Sequence, residues 1–229
     1  MTTIGKALGQ EYATVVAIGD SITAVNHWTL GGLNWVGLLQ CNLGTCFRQG
    51  YTVINSGIGG DWITGGLARL ERDVLRFTPQ LTIISFGMND ASAPERLGEF
   101  TENLRSMVRQ VRATGSRVLL RTPNPIISMA DGTELHEQCI NGNTYRYAVG
   151  EYAAAIMQVA TEEQVWAVDH YTLWQQSLAS RYHGEMCMLM GNCVHPNANG
   201  HRRFFHELAP IFGMEPTFQH EWQHILEMQ

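Results

Sequence analysis

A serine hydroxyl is a weak nucleophile until a base takes its proton, and attack on a carbonyl then needs hydrogen-bond donors for the oxygen that becomes negative. In this 229-residue chain the stretch Gly19-Asp20-Ser21-Ile22-Thr23 comes directly after the apolar run Thr14-Val15-Val16-Ala17-Ile18. A β-branched run that stops at Gly-Asp-Ser predicts a buried strand that delivers Ser21 onto the tight turn beyond its carboxyl end, where open α/β sheets keep their ligand sites. His195 supplies a candidate base: it lies in a loop over 183–199, and Pro196 after it keeps the chain from continuing as helix. Two more turns carry glycine and amide groups, one over Gly57, Gly59 and Gly60 and one over Gly87-Met88-Asn89-Asp90.

These turns need elements to position them. Apolar runs predict strands over 14–18, 51–55, 81–86, 117–121 and 165–168, and the 81–86 run is apolar almost throughout, as expected when both faces of a sheet are covered. Helical spacing of apolar residues predicts helices over 33–43, 64–76, 94–114, 145–163, 173–181 and 200–208, with a polar and aromatic loop over 24–32 and an irregular insertion over 126–144. Strands alternating with helices signal a parallel α/β sheet. Right-handed crossovers then place the strand carboxyl ends along one edge and bring Ser21, the Gly57–Gly60 turn and Asn89 together.

Four blocks in this order give the chain its resemblance. Gly19-Asp20-Ser21, the Gly57–Gly60 turn, Gly87-Met88-Asn89-Asp90 and Val194-His195-Pro196 resemble the nucleophile, glycine, asparagine and histidine blocks of the SGNH hydrolases, the GDSL esterase/lipase superfamily. The resemblance spans most of the chain and implies a three-layer α/β/α, flavodoxin-like fold with a five-stranded parallel sheet. It implies Ser21 as nucleophile, His195 as general base, and an oxyanion hole built from the N–H groups of Ser21 and Gly60 and the side-chain amide of Asn89. No cofactor and no metal enter that chemistry. One position departs from the pattern: where the family has aspartate three residues before the histidine, this chain has Asn192. An amide can accept from the imidazole, but it is neutral and can equally present its NH₂. Three readings of Asn192 stand: an aspartate deliberately replaced, a Ser–His dyad helped by a backbone carbonyl, or a member that binds without turnover. Asp169, after the fifth strand, is the one substitute acid to weigh, and capping a turn is its simpler role.

Composition bounds the rest. The length suits a single domain over 1–229, and no linker, repeat or low-complexity tract divides it. A formal charge of −6 argues against nucleic acid or an anionic membrane as partner, since both select for clustered Lys and Arg. No window is apolar for long enough to span a membrane or to form a signal peptide, so the cytoplasm is the default compartment, with secretion open if a leader has been removed. The five cysteines form no zinc pattern. Free thiols are the default, with 41–46 and 187–193 as candidate pairs. His220-Glu221-Trp222-Gln223-His224 fits HExxH, but no third ligand follows it, and a surface tail helix is the simpler reading. Met186, Met188 and Met190 read as gap-filling core more readily than as an acyl pocket. Asp20, Trp28, Trp62 and His136 are candidate substrate-binding residues, Asp20 more simply fixing the turn. The acidic character and the absence of a long apolar lid favour a small acyl group, acetyl, on a sugar or polysaccharide. A lipase, lysophospholipase or thioesterase, or a glycan-binding module without turnover, are the alternatives.

Overall fold

A computed structural model describes residues 4–8, 12–47, 50–126, 148–178 and 188–214. Its strands are β1 (Tyr12–Gly19), β2 (Gly50–Gly57), β3 (Leu81–Ser85), β4 (Arg117–Arg121) and β5 (Trp166–Val168). All pairings are parallel and the order is β2-β1-β3-β4-β5. This is the doubly wound order in which the chain leaves β1 towards one edge for β2 and returns to the other side for β3. The crevice at the carboxyl ends of β1 and β3 is therefore the switch point where such sheets bind ligands.

The helices are α1 (Ile4–Leu8), α2 (Trp35–Phe47), α3 (Ile63–Ala68), α4 (Leu70–Asp73), α5 (Leu97–Ala113), α6 (Val149–Glu162), α7 (His170–Leu178) and α8 (Ala198–Phe212). They form two packed groups, α1 with α8 and α8 with α2 in one, α3 with α5 and α5 with α6 in the other. These groups make the outer layers of an α/β/α sandwich. Val15, Val16, Ala17 and Ile18 of β1 and Leu81, Ile83 and Ile84 of β3 are buried between the layers, which is why those strands read as continuous apolar runs. In α5 the buried residues Phe100, Leu104, Met107, Val108 and Val111 fall at helical spacing on one face.

Several expected boundaries move. β2 runs to Gly57 because all eight of its residues pair in register with β1. The 94–114 helix starts at Leu97, after a 3-10 turn at Pro94–Arg96. α7 begins at His170 rather than 173. α8 begins earlier, at Ala198, because the Asn197 side chain caps it by accepting from the N–H groups of Asn199 and Gly200. The single helix expected over 64–76 is instead α3, α4 and a 3-10 turn at Leu75–Phe77. The break falls at Arg69, whose guanidinium turns inward instead of lying on a helix surface.

Candidate active site

Ser21 sits two residues past β1, directly after Asp20, on a turn closed by the chain itself. The Asp20 carbonyl accepts the N–H groups of Thr23 and Ala24, at 3.1 and 2.9 Å. Its carboxylate, only 2 % exposed, accepts the Ile22 N–H at 2.9 Å. The structure thus places Asp20 inside the turn that presents Ser21. A Cβ on Gly19 would lie 2.4 Å from the Ser85 carbonyl oxygen, so only glycine lets the end of β1 approach β3 this closely. Asn26 holds the following loop: its NH₂ donates to the Ser21 carbonyl at 2.8 Å, and its oxygen accepts the Trp28 N–H at 3.0 Å.

The histidine arrives from the opposite direction on a loop with its own fastenings. The Asn197 amide donates to the carbonyls of Met188 and Met190, and the His195 carbonyl accepts the N–H groups of Gly191 and Asn192. From the end of β4, the buried Asn124 donates to the Val194 carbonyl at 3.1 Å. The result brings His195 Nε2 within 2.9 Å of Ser21 Oγ. Behind the imidazole, the Asn192 side-chain oxygen accepts the N–H groups of Val194 (2.9 Å) and His195 (2.7 Å) and lies 3.2 Å from His195 Nδ1. Two backbone N–H groups can only donate, so the atom they meet is the amide oxygen and not the NH₂. The proton therefore sits on Nδ1, and Nε2 is left as the acceptor for the serine hydroxyl.

The glycine and asparagine turns close the other side. The Ile58 N–H donates to the Gly19 carbonyl at 3.0 Å, tying the glycine turn to the nucleophile strand. Gly60 has φ +76°, a left-handed conformation that favours glycine. Among the described residues the N–H groups of Ser21 and Gly60 donate to no protein acceptor. The Asn89 NH₂ donates to the Asp61 carbonyl at 3.0 Å, which fixes the amide plane across the same turn. Asp90 accepts the N–H groups of Ile63 and Gly87 on its two oxygens, at 2.9 and 3.1 Å. Burial outweighs those bonds and pushes its carboxyl up to about 6.

Arg69 anchors this assembly from below. Its guanidinium donates to Asp61 (2.8 Å), Asp73 (2.9 Å) and the carbonyls of Ser56 (2.7 Å) and Gly19 (3.1 Å). One side chain thus joins the ends of β1 and β2 to the turn after β2, at Asp61, and to α4, at Asp73. A second buried cation, Arg121, stands at the end of β4 between the rings of Trp35 and Phe204, 4.3 and 4.4 Å from their centroids. It donates to the Ser85 hydroxyl at 3.3 Å. Burial lowers it to about 9, against the opposing pull of Asp20 and Glu207. Burial, with Arg121 second, also lowers His201 to about 3, so that ring stays neutral where His195 is meant to work.

The remaining sequence candidates divide. Trp28 lies nearly parallel to the His195 ring, with centroids 5.4 Å apart and planes 12° apart. Trp62 precedes α3, with the Arg96 guanidinium 5.4 Å from its ring centroid. Asp169 accepts from Thr172 N–H and the Thr122 hydroxyl, which is the capping role expected of it. His136, Met186, Cys187 and the HExxH stretch at 220–224 lie outside the described residues. Met190 is buried and Met188 exposed. Cys193 is disulfide-bonded, contrary to the free-thiol default, whereas Cys41 is a free, exposed thiol, which removes the 41–46 pair. Arg69, Asn26, Asn124 and Asp90 were not singled out from sequence. Only the placement of a polar residue within three positions of a strand end or motif could have flagged the last three.

A serine bonded to a correctly protonated histidine, at the switch point of a parallel sheet and beside unengaged N–H groups, can carry out acyl transfer. Comparison with known proteins agrees with that chemistry. Over 110 residues the chain is 38% identical to Esterase TesA of Pseudomonas aeruginosa, a match covering 47% of this chain and 52%, about half, of that esterase. It is 31% identical to the isoamyl acetate-hydrolyzing esterase 1 homolog of Bos taurus over 211 residues, 86% of this chain and 80% of the relative. The crystal structure of Axe2, an acetylxylan esterase from Geobacillus stearothermophilus, superposes with a TM-score of 0.72 at 25% identity, covering 89% of this chain and 95% of that one. With residues 17–203 matching the family as a whole, from the strand before Ser21 to the helix after His195, the chain belongs to the GDSL-like lipase/acylhydrolase family of ester hydrolases.

Proposed function

We propose that the protein is a serine esterase that removes an acetyl group from a carbohydrate. The observation that carries the esterase mechanism is the Ser21 Oγ to His195 Nε2 hydrogen bond of 2.9 Å, with Nδ1 held by Asn192. Oγ attacks the ester carbonyl carbon, the C=O π pair moves onto oxygen, and the hydroxyl proton passes to Nε2. The Ser21 and Gly60 N–H groups and the Asn89 amide receive the negative oxygen. The C–O bond then breaks, the proton goes from Nε2 to the leaving alcohol, and water repeats the sequence to release acetate and regenerate Ser21. Asp20, Trp28 and Trp62 are the substrate-binding candidates among the described residues. Of the three, Asp20 is buried in the nucleophile turn and Trp28 lies against the His195 ring, so Trp62, two residues after Gly60, is the candidate to meet substrate.

The names of the relatives support acetyl as the acyl group, because acetylxylan and isoamyl acetate share it and differ in the alcohol. A second reading concerns that alcohol. Val25, Leu30 and Leu33 on the loop after Ser21, Ile58 in the glycine turn and Met188 in the histidine loop are all exposed, and this apolar rim favours the acetate of an aliphatic alcohol. The test compares acetylated xylo-oligosaccharide, isoamyl acetate, and p-nitrophenyl acetate against octanoate, with Ser21→Ala as blank. Preference for the oligosaccharide supports the carbohydrate reading and preference for isoamyl acetate the second. Octanoate as the better substrate would overturn both in favour of a lipase. Binding of the sugar with no turnover, unchanged in Asn192→Asp, would mean a glycan-binding module.

A further inference from the structure

We propose that Trp28 supplies, through its ring face, part of the stabilisation of the His195 imidazolium that a carboxylate at position 192 would otherwise give; this rests on the serine-esterase reading of the site. When His195 takes the Ser21 proton, the ring becomes a cation while the group facing Nδ1 is a neutral amide. The indole lies parallel to that ring, with centroids 5.4 Å apart. That is within the roughly 6 Å over which an aromatic face attracts a cation, and Trp is the strongest aromatic partner. A flat cation stacked on an aromatic plane is the arrangement guanidinium groups also favour.

The chain is shaped to hold this stack. The Asn26 oxygen accepts the Trp28 N–H, and the Asn26 NH₂ holds the Ser21 carbonyl, so the indole is indexed to the nucleophile turn. On the other side, a Cβ at position 191 would come within 3.0 and 3.1 Å of Trp28 Cε3 and Cβ. Gly191, next to Asn192, is therefore the residue that lets the indole lie against the histidine loop. His27 packs on Trp28 at 4.2 Å, tilted by 39°. The nearby His201 is kept neutral by burial, so neither the indole nor the amide is duplicated by a formal charge from that ring.

Trp28 is on this account a positioning and supporting residue, and its contribution belongs to the charged state of His195. It should therefore appear in kcat and depend on what occupies position 192. The experiment measures kcat and KM for p-nitrophenyl acetate with Trp28, Trp28→Phe and Trp28→Leu, each with Asn192 and with Asn192→Asp, with stoichiometric organophosphonate labelling of Ser21 as reference. Trp28→Leu is expected to lower kcat about three- to thirty-fold with KM little changed. Trp28→Phe should recover most of that loss, and the loss should shrink several-fold in the Asn192→Asp background. An equal loss in both backgrounds, a change confined to KM, or Leu serving as well as Phe would overturn the role. A parent chain that neither takes the label nor turns over would overturn the esterase reading and this role with it, and is told apart because the failure is then already present before Trp28 is changed.

Discussion

The Asn192 amide oxygen faces His195 Nδ1 because the Val194 and His195 N–H groups hold it there. A neutral residue thus selects the tautomer that an aspartate would select, and lacks only the charge. Asn192→Asp should leave the fold unchanged and raise kcat by about ten- to a hundred-fold, the value of turning one neutral hydrogen bond into a charged one. The gain should fall short of the roughly 10⁴ lost in the serine-protease Asp-to-Asn case described for chymotrypsin-like enzymes, because that change also spoils the tautomer. Steady-state kinetics check it, and an unchanged kcat would mean another group already bears the charge.

Asn89 is oriented by its bond to the Asp61 carbonyl. If its amide also receives the developing oxyanion, Asn89→Ala should cost about 10² to 10³ in kcat. Substrate binding, read as KM, should change far less. A loss confined to KM would move Asn89 from transition-state stabilisation to substrate binding.

Arg69→Met would leave Asp61, Asp73 and two carbonyls without their shared donor. Breaking a buried pair from one side costs about 3–5 kcal/mol, and urea denaturation should show a loss of that size. Arg69→Lys should rescue little, since one ammonium cannot reproduce a planar fork that meets acceptors on both edges. A variant within about 1 kcal/mol of the parent would show that the acceptors find water instead.

Stability should fall between about pH 6.5 and 4. Burial lowers His170 to about 4 and His201 to about 3, so in this window the unfolded chain holds two imidazole protons that the native state lacks. Asp90, raised to about 6, works the other way and gives the native state one proton that the unfolded chain lacks below that value. Burial also lowers His206, so the unfolded state keeps an excess of at least one proton near pH 5, and stability should decline by at least about 1.4 kcal/mol per pH unit on acidification. Urea midpoints at pH 7, 6 and 5 measure this, and a flat or rising trend would show that one of the histidines is not buried neutral.

Much of the scaffold was legible because its signals are local. β-Branched runs ending at glycine marked β1 and β3, and strand alternation with helices led to the switch-point sheet, so Ser21 and Asn89 could be placed at one edge. Boundaries slipped where a non-local partner decides them: Arg69 reads as a surface residue on a helical stripe until Gly19, fifty residues earlier in the chain, is seen to accept from it. The orientation of Asn192 was undetermined for the same reason, since an amide looks alike in both directions until its donors are known. Trp28 was legible as an aromatic near the site. Its stacking on His195 depends on a glycine at 191, and that contact spans more than 160 positions of sequence.

The Asn26 side chain, which holds the Ser21 carbonyl with one end and the Trp28 N–H with the other, sets unequal terms for laboratory diversification of this enzyme. Val25 and Leu30, on either side of it, are 83% and 94% exposed, and a library randomising those two positions can re-cut the rim for new alcohols while the nucleophile keeps its geometry. A library that includes Asn26 would disturb the nucleophile turn and the indole together, and its inactive members would say nothing about substrate preference.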